Sequence, residues 1–425
     1  MNIKIHRGLE QIGGCITEIS TATTRIFIDF GQNLPGYGEQ TTPEQDEEMV
    51  REILAHNTRE HEAVFYTHAH EDHVGLFRYF QDSVEQYIGE GALLTLQTKY
   101  RVINDGDDLG HKDPTLTLQA LKKLSKFKYW SKPAPHCRPA AIKFGDIKVT
   151  PFLCSHSIYD CYMFLIEADG KRVWHTGDYR AHGYLGKGLL PTLKCYARNI
   201  DVLVTEGTML SHEDIRCVHE SKIARQMAKQ MKNYDYVFVL SSATDIDRLA
   251  TIKNASAYAG KRMLICGKFQ YEMMKLFSKR EATISHGLYL FKPEYYKSKG
   301  LKYWKEKGFV LLVGASHFDR TKEIYDNLDP TKCLLIYSSW DGYYKLPEQI
   351  EINDSYKKIR ELFTNCIDIH TPGHADRKTI EAVIQTVNPK ESIIAIHKEE
   401  GQSLDSLNLS AEVKSKILTF KQFEL

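Results

Sequence analysis

Thr67-His68-Ala69-His70-Glu71-Asp72-His73 follows the apolar run Ala63–Tyr66 and precedes an apolar, helical stretch. Three imidazoles and an acidic cluster at the end of a buried strand are the donor types that hold a borderline-soft divalent cation such as zinc. A tight loop at a strand terminus can aim alternate side chains at two neighbouring ions. A chance surface cluster is the bland alternative; it suits one His among charges but fits HxHxDH after a strand poorly.

Further donors lie downstream, each after an apolar run. His156 follows Ile147–Phe152, and Asp178 follows Arg172–His175. A carboxylate so placed can bridge two cations and hold them ~3.5–4 Å apart, a spacing that polarises water and clamps a phosphoryl or acyl oxygen. Alone, an Asp at a strand end is most often a turn former. In this order after HxHxDH it becomes a ligand candidate.

Outward from these motifs, the first 211 residues alternate short strand candidates (Ile3–Arg7, Gly14–Ile19, Arg25–Phe30, Tyr162–Glu167, Asp201–Thr205) with one early helix, Pro43–Ala55. Strands and helices mix without strict βαβ alternation, which predicts a layered α/β sandwich. After Glu206 the texture changes. A helix is expected over Ile215–Lys232, then a strand at Tyr236–Ser241 and a helix at Ile246–Tyr258. Apolar runs follow at Arg262–Cys266, Gly308–Val313 and Cys333–Ser338, the rhythm of a parallel sheet. The expected organisation is 1–211, an inserted domain at 212–365, and a completion of the first domain at 366–425.

HxHxDH, then His, then Asp at strand ends, with Asp29 closing Ile26–Asp29, resembles the metallo-β-lactamase superfamily over roughly residues 1–210. The resemblance implies an αββα sandwich with a two-metal site on one edge. Carried over by position, His68, His70 and His156 would hold one zinc and Asp72 with His73 the other. Asp178 would stand between them, and Asp29 would orient the His loop.

A narrower resemblance lies in the second half. Thr205-Glu206-Gly207-Thr208 follows a strand, His370-Thr371-Pro372-Gly373-His374-Ala375-Asp376 opens a helix, and Ser392–Ile396 runs into His397-Lys398-Glu399. This order is similar to the three extra motifs of the β-CASP nucleases, the ribonuclease J-like group, in which a parallel-sheet domain interrupts the lactamase-like one. The resemblance makes His397 a further ligand of the second zinc. It makes His374 a phosphate-binding group and proton donor positioned by Glu206, so the catalytic set is His374, Glu206 and Asp72. A His at position 397 is closer to the RNA-cleaving than to the DNA-cleaving members.

The chain departs from that pattern in three places. Pro372 stands where a small hydroxyl residue is usual, and Lys398 where Gly is usual. The chain also ends 28 residues after His397, so the C-terminal domain that supports dimerisation in ribonuclease J proteins is expected to be absent. A homodimer stays open. Twelve further His carry no assignment; His175 and His370 are the strongest exceptions. Ser241-Ser242-Ala243-Thr244 before a helix reads equally as a phosphate site or a plain N-cap.

Composition excludes other classes. Of 425 residues, 42% are hydrophobic and 26% charged, as in a chain that buries a core. No apolar run approaches the ~18–20 residues of a membrane span. The N-terminus lacks a continuous h-region, so no secretory signal is expected. Nine Cys without a CxxC pair point to reduced thiols and a cytoplasmic location.

The net charge of +1 hides a division. Thr251–Val310 carries 13 Lys+Arg against 4 Glu, net +9, interleaved with Tyr258, Tyr271, Tyr289, Tyr295, Tyr296, Tyr303 and Trp304. Gly31–Thr98 has 13 acidic and three basic residues, net −10. Cations that neutralise phosphates beside rings that stack bases suit single-stranded RNA, although any one ring is more often core. The reading is a zinc-dependent ribonuclease with two Zn2+ (Mn2+ as the alternative) that uses a metal-activated water. A hydrolase of a small ester, amide or cyclic phosphate and a DNA nuclease stand as alternatives.

Overall fold

The computed structural model describes all residues except 56, 107–113, 134–137, 214, 282–285, 298–299 and 420. The chain divides into two units, Met1–Leu96 with Lys122–Cys217 and Gly373–Leu425, and Gln97–Leu121 with Val218–Pro372.

In the first unit, Asn2–Arg7 (β1), Ile16–Ser20 (β2) and Thr24–Ile28 (β3) form an antiparallel meander. His61–Phe65 (β4), Glu85–Gly89 (β5) and Lys128–Trp130 (β6) then add in parallel. The crossover from β3 to β4 contains the helix Pro43–Leu54, which starts on a capping box of Thr42 and Gln45 with Pro in its first turn. Its first turn, which carries Glu44 and Asp46, is not wholly solvated. Asp46 is buried and accepts from Thr41 Oγ1 at 2.6 Å.

Ile142–Phe144 (β7), Ile147–Cys154 (β8), Cys161–Ala168 (β9) and Lys171–His175 (β10) make a second meander, and Val202–Glu206 (β11) joins it parallel to β10. The second unit's five strands intervene in the chain. They are Tyr236–Leu240 (β12), Met263–Ile265 (β13), Phe309–Val313 (β14), Cys333–Tyr337 (β15) and Cys366–Asp368 (β16). The C-terminal segment then completes the first unit. Ser392–Ile396 (β17) lies parallel to β11, Ile417–Leu418 (β18) pairs with β17, and Gln422–Glu424 (β19) pairs antiparallel with β1 in the other sheet. Two seven-stranded sheets result, β19-β1-β2-β3-β4-β5-β6 and β18-β17-β11-β10-β9-β8-β7.

Their inner faces share one core. Alternate residues Ile26 and Ile28 of β3, Ala63 and Phe65 of β4, Phe164 and Ile166 of β9, and Val202 and Val204 of β11 point into it, as the two-residue period of a strand requires. Helices that include Leu189–Tyr196 and Arg377–Val387, which contact each other, complete the αββα sandwich.

The second unit holds a parallel sheet in the order β13-β14-β12-β15-β16. Its three central strands, YVFVL, FVLLV and CLLIY, are buried at every position, the continuous apolar signature of a sheet covered on both faces. The helix expected over Ile215–Lys232 is shorter, Glu220–Met231. His219 is extended and caps it, its Nδ1 accepting from Ser221 N at 3.1 Å. Asp245, rather than the Ser/Thr run before it, caps Ile246–Tyr258. The aromatic residues of the basic stretch separate into two kinds. Tyr289 and Tyr296 are core, whereas Tyr258 and Tyr303 are exposed at 61% and 55%. Lys297 and Lys302 are exposed, while Lys299 lies outside the described residues.

Phe164 is fully buried, with its ring centroid 5.6 Å from that of Trp130 and 6.4 Å from that of Phe65. Phe164→Ala is expected to cost about 3–5 kcal/mol through lost transfer energy and a residual cavity. Urea unfolding followed by circular dichroism measures it.

Candidate metal centre

β3 and β4 are parallel, as are β10, β11 and β17, and β8 reaches the same direction through two antiparallel steps. Their C-terminal ends carry the chemistry. Asp29 follows β3, Thr67–His73 follow β4, His156 follows β8, Asp178 follows β10, Glu206 ends β11 and His397 follows β17. Asp29 and His397 adopt positive φ, 63° and 54°. Non-glycine residues rarely hold that conformation unless their surroundings fix it.

Asp29 does much of the fixing. It is fully buried and accepts from Thr67 N at 2.7 Å, from Thr67 Oγ1 at 2.8 Å and from His73 Nδ1 at 2.8 Å. A carboxylate only accepts, so His73 carries its proton on Nδ1 in the neutral ring. The single Thr67 hydroxyl proton goes to Asp29, so at the 2.9 Å contact with His68 Nδ1 Thr67 must accept. His68 is thereby protonated on Nδ1. His156 Nδ1 donates to the Gly373 carbonyl at 2.9 Å. Thr208 Oγ1 lies 2.7 Å from His397 Nδ1 and 3.2 Å from the His397 carbonyl. When the hydroxyl donates to the carbonyl it accepts from Nδ1, the His397 tautomer that leaves Nε2 bare toward Asp72.

Every one of these choices leaves an Nε2 lone pair facing inward. His68 Nε2 and His156 Nε2 each lie 3.1 Å from His70 Nδ1. His397 Nε2 is 3.0 Å from Asp72 Oδ2, and His73 Nε2 is 3.1 Å from Asp178 Oδ2 yet makes no hydrogen bond. Asp178 Oδ2 stands at the middle, 3.6 Å from His156 Nε2, 4.0 Å from His68 Nε2 and 3.6 Å from His397 Nε2. Converging lone pairs repel unless a cation lies among them. The arrangement fits divalent metal: donor atoms of His68, His70 and His156 lie within 4.8 Å of one another, as do those of His68, His73 and Asp178, and Asp72 Oδ2 is 3.6 Å from His73 Nε2 and 3.0 Å from His397 Nε2. All seven metal candidates are thus brought together.

Without a cation, protons carry the compensating charge. Burial alone would push Asp178 up, but His397 and His73 foremost hold its carboxyl well below the usual range. Burial lowers His68 and His156 strongly and takes His70 to about 4. His73 goes the other way. Burial disfavours its charge, yet Asp178, Asp72 and Asp29 together raise it well above an ordinary imidazole.

Beside this cluster, Glu206 is fully buried and accepts from His374 Nδ1 at 2.9 Å with one oxygen and from Tyr179 N at 2.9 Å with the other. The His374 ring is 22% exposed and its Nδ1 is 3.7 Å from Asp178 Oδ2. Burial pulls its pKa down, but Glu206 and Asp178 outweigh that and raise it to about 9. His175 is buried, pushed down to about 3 by desolvation and by His73, and its Nδ1 accepts from Gly177 N at 3.1 Å to shape the turn before Asp178. His370 lies in the second unit, its Nδ1 3.1 Å from Arg248 Nη1. Lys398 offers no free cation here. It is 5% exposed and paired with Glu10 at 3.1 Å. Thr67 and Thr208 were legible inside the quoted motifs, but nothing in residue type distinguished an orienting hydroxyl from a turn former.

Comparison with known proteins agrees with this geometry. Residues 25–235 match the Beta-lactamase superfamily domain. Ribonuclease J of Mycoplasma genitalium is 21% identical over 82% of the chain and 59% of its own length. Ribonuclease J of Helicobacter pylori (strain ATCC 700392 / 26695) is 21% identical over 92% of the chain and 55% of its own. An RNase J-like protein of Methanocaldococcus jannaschii is 26% identical over 54% and 47%. The chain therefore spans about half to three-fifths of the length of these relatives. A solved structure titled as a protein of unknown function from Enterococcus faecalis V583 shares the fold, with TM-score 0.70 and 18% identity over 96% of this chain and 95% of that one.

Thr67→Val removes the relay between Asp29 and His68 and leaves buried groups unsatisfied. Stability is expected to fall by about 1–3 kcal/mol and metal affinity by about 10–100-fold, read by calorimetric titration. The His374 proton gives a pH signature in chelated protein. Its folded pKa lies above the unfolded value, so its stabilisation is complete below pH ~6.5 and is lost as pH rises through about 9. Glu206→Gln should flatten that limb of the stability curve and lower the NMR midpoint of His374.

Proposed function

We propose that this chain, a metallo-β-lactamase/β-CASP protein of ribonuclease J-like kind, is a metal-dependent hydrolase that cleaves RNA phosphodiester bonds. The observation that carries the reading is the set of oriented inward lone pairs around Asp178, flanked by a Glu206-held His374.

His68, His70 and His156 would hold one ion, Asp72, His73 and His397 the other, and Asp178 would face both. Two divalent ions supply a water of near-neutral pKa and a clamp for phosphoryl oxygens. Zinc suits the imidazole-rich donor set, with manganese the alternative. The chain's own contribution is positional and protic. Asp29 and the two threonines fix ring orientation before substrate arrives. Glu206 holds Nδ1–H of His374, so the ring keeps its second proton on Nε2 at neutral pH, where it can contact a phosphate oxygen and protonate the departing one. Pro372 offers no hydroxyl, so that phosphate contact is missing or passes to Thr371 or a backbone N–H.

RNA is favoured over DNA and small esters by two features. The relatives named ribonuclease J align over most of the chain, and the second unit carries the net +9 stretch with exposed Tyr258, Tyr303, Lys297 and Lys302. That combination suits a flexible polyanion with unpaired bases.

Purified protein is expected to hold close to two zinc equivalents by elemental analysis and to degrade single-stranded RNA. His374→Ala should retain metal while losing about 10²–10⁴-fold in rate. Labelled 5′ and 3′ ends would distinguish exonuclease from endonuclease action. Metal-replete protein that cleaves neither RNA nor DNA would overturn the reading.

A further inference from the structure

Cys15 immediately precedes β2, and its backbone is stitched to the metal loop. Its N–H donates to the Asp72 carbonyl at 3.1 Å, and its carbonyl accepts from Gly31 N at 3.1 Å. The side chain is 1% exposed. Its Sγ, a ring nitrogen of His73 and a ring nitrogen of His397 all lie within 4.8 Å of one another. Gly8 closes the other side. A Cβ there would lie 3.1 Å from Sγ, and the Gly8 carbonyl accepts from His397 N at 2.6 Å. The thiol is thus held against the second donor set by the same strand ends that hold the ligands.

One comparison singles it out. Cys154 and Cys161 are also buried near the cluster, but both direct their thiols at the Asp178 carbonyl, at 3.6 and 3.3 Å. Cys15 forms no disulfide, and its Sγ instead groups with the ring nitrogens of His73 and His397. His73 Nε2, nine-tenths or more buried, faces the carboxylates of Asp178 at 3.1 Å and Asp72 at 3.6 Å while Asp29 holds the opposite nitrogen. An imidazole nitrogen and a thiol sulfur within 4.8 Å of each other are a donor pair for a soft ion.

We propose that Cys15 is a soft donor to the Asp72/His73/His397 position, and that it biases this site toward a thiophilic divalent ion, zinc or cobalt, over manganese. The inference rests on the metal reading above and adds a ligand to it. On binding, the S–H bond breaks, a sulfur–metal bond forms, and the proton leaves to solvent.

The test is titration of chelated full-length protein with cobalt(II) chloride. Visible d–d bands report ions bound to the His/Asp donors, and a near-ultraviolet sulfur-to-cobalt charge-transfer band reports the thiolate. Both should appear in wild type, and Cys15→Ser should lose the second while keeping the first. Zinc affinity of one position should fall by about tenfold or more in that variant, with manganese affinity unchanged. Loading wild type with cadmium-113 needs no variant. One of two NMR resonances should lie far downfield, in the thiolate range. If d–d bands appear without charge transfer, if Cys15→Ser keeps the band, or if both cadmium resonances fall in the nitrogen/oxygen range, Cys15 is no ligand although the metal reading stands. If no cobalt binds, both fail.

Discussion

Imidazole nitrogens and carboxylate oxygens that face each other at about 3 Å inside a protein need positive charge between them. In the first unit this requirement falls on Asp178 Oδ2, which has Nε2 of His68, His73, His156 and His397 within 4.0 Å. Burial raises the energy of every one of these groups when it is charged. Protons on His73 and His374 meet the need in part, and cations would meet it fully. The fold around the cluster serves to hold the donors in place despite their repulsion. Asp29 anchors β3 to the metal loop, the two threonines choose tautomers, and glycines let backbone approach. A Cβ at Gly31 would lie 1.6 Å from the Asp72 carbonyl oxygen, so no other residue fits there without moving the loop.

The two sheets make this possible because their strand ends converge. A donor at the end of a strand inherits the rigidity of a ladder buried on its inner face, and Val204, Phe164 and Ile394 behind the site are fully buried. A loop site of the same composition would lose more conformational entropy on binding. The strained backbone at Asp29 and His397 is tolerated where pairing and packing over-determine it.

Much of the site was legible in the sequence because metal chemistry restricts residue type. His68, His70, Asp72 and His73 are compact in the chain, and His156, Asp178 and His397 each follow an apolar run, so their convergence could be anticipated. The central strands of the second unit were equally readable, since FVLLV and CLLIY can only be covered on both faces. What the sequence concealed is relational. Thr67 and Thr208 are ordinary turn residues until their single proton is assigned. Tyr289 and Tyr296 match exposed aromatics in composition and differ only in what lies over them. Lys398 stands out only as a departure from Gly, and its partner Glu10 lies nearly four hundred residues earlier. The short strands β6 and β7 carry too few residues for a period to emerge.

The order of donors along the chain has a bearing on synthesis. β17 takes its place beside β11 only after the whole second unit has been made, and His397 arrives with it. A chain still on the ribosome has His68, His70, His73, His156 and Asp178 by residue 178, but lacks His374 and His397 until the second unit has been made. The long excursion between Glu206 and His374 therefore acts as a timer. β17 joins β11, and His374 and His397 join the cluster, only after that excursion.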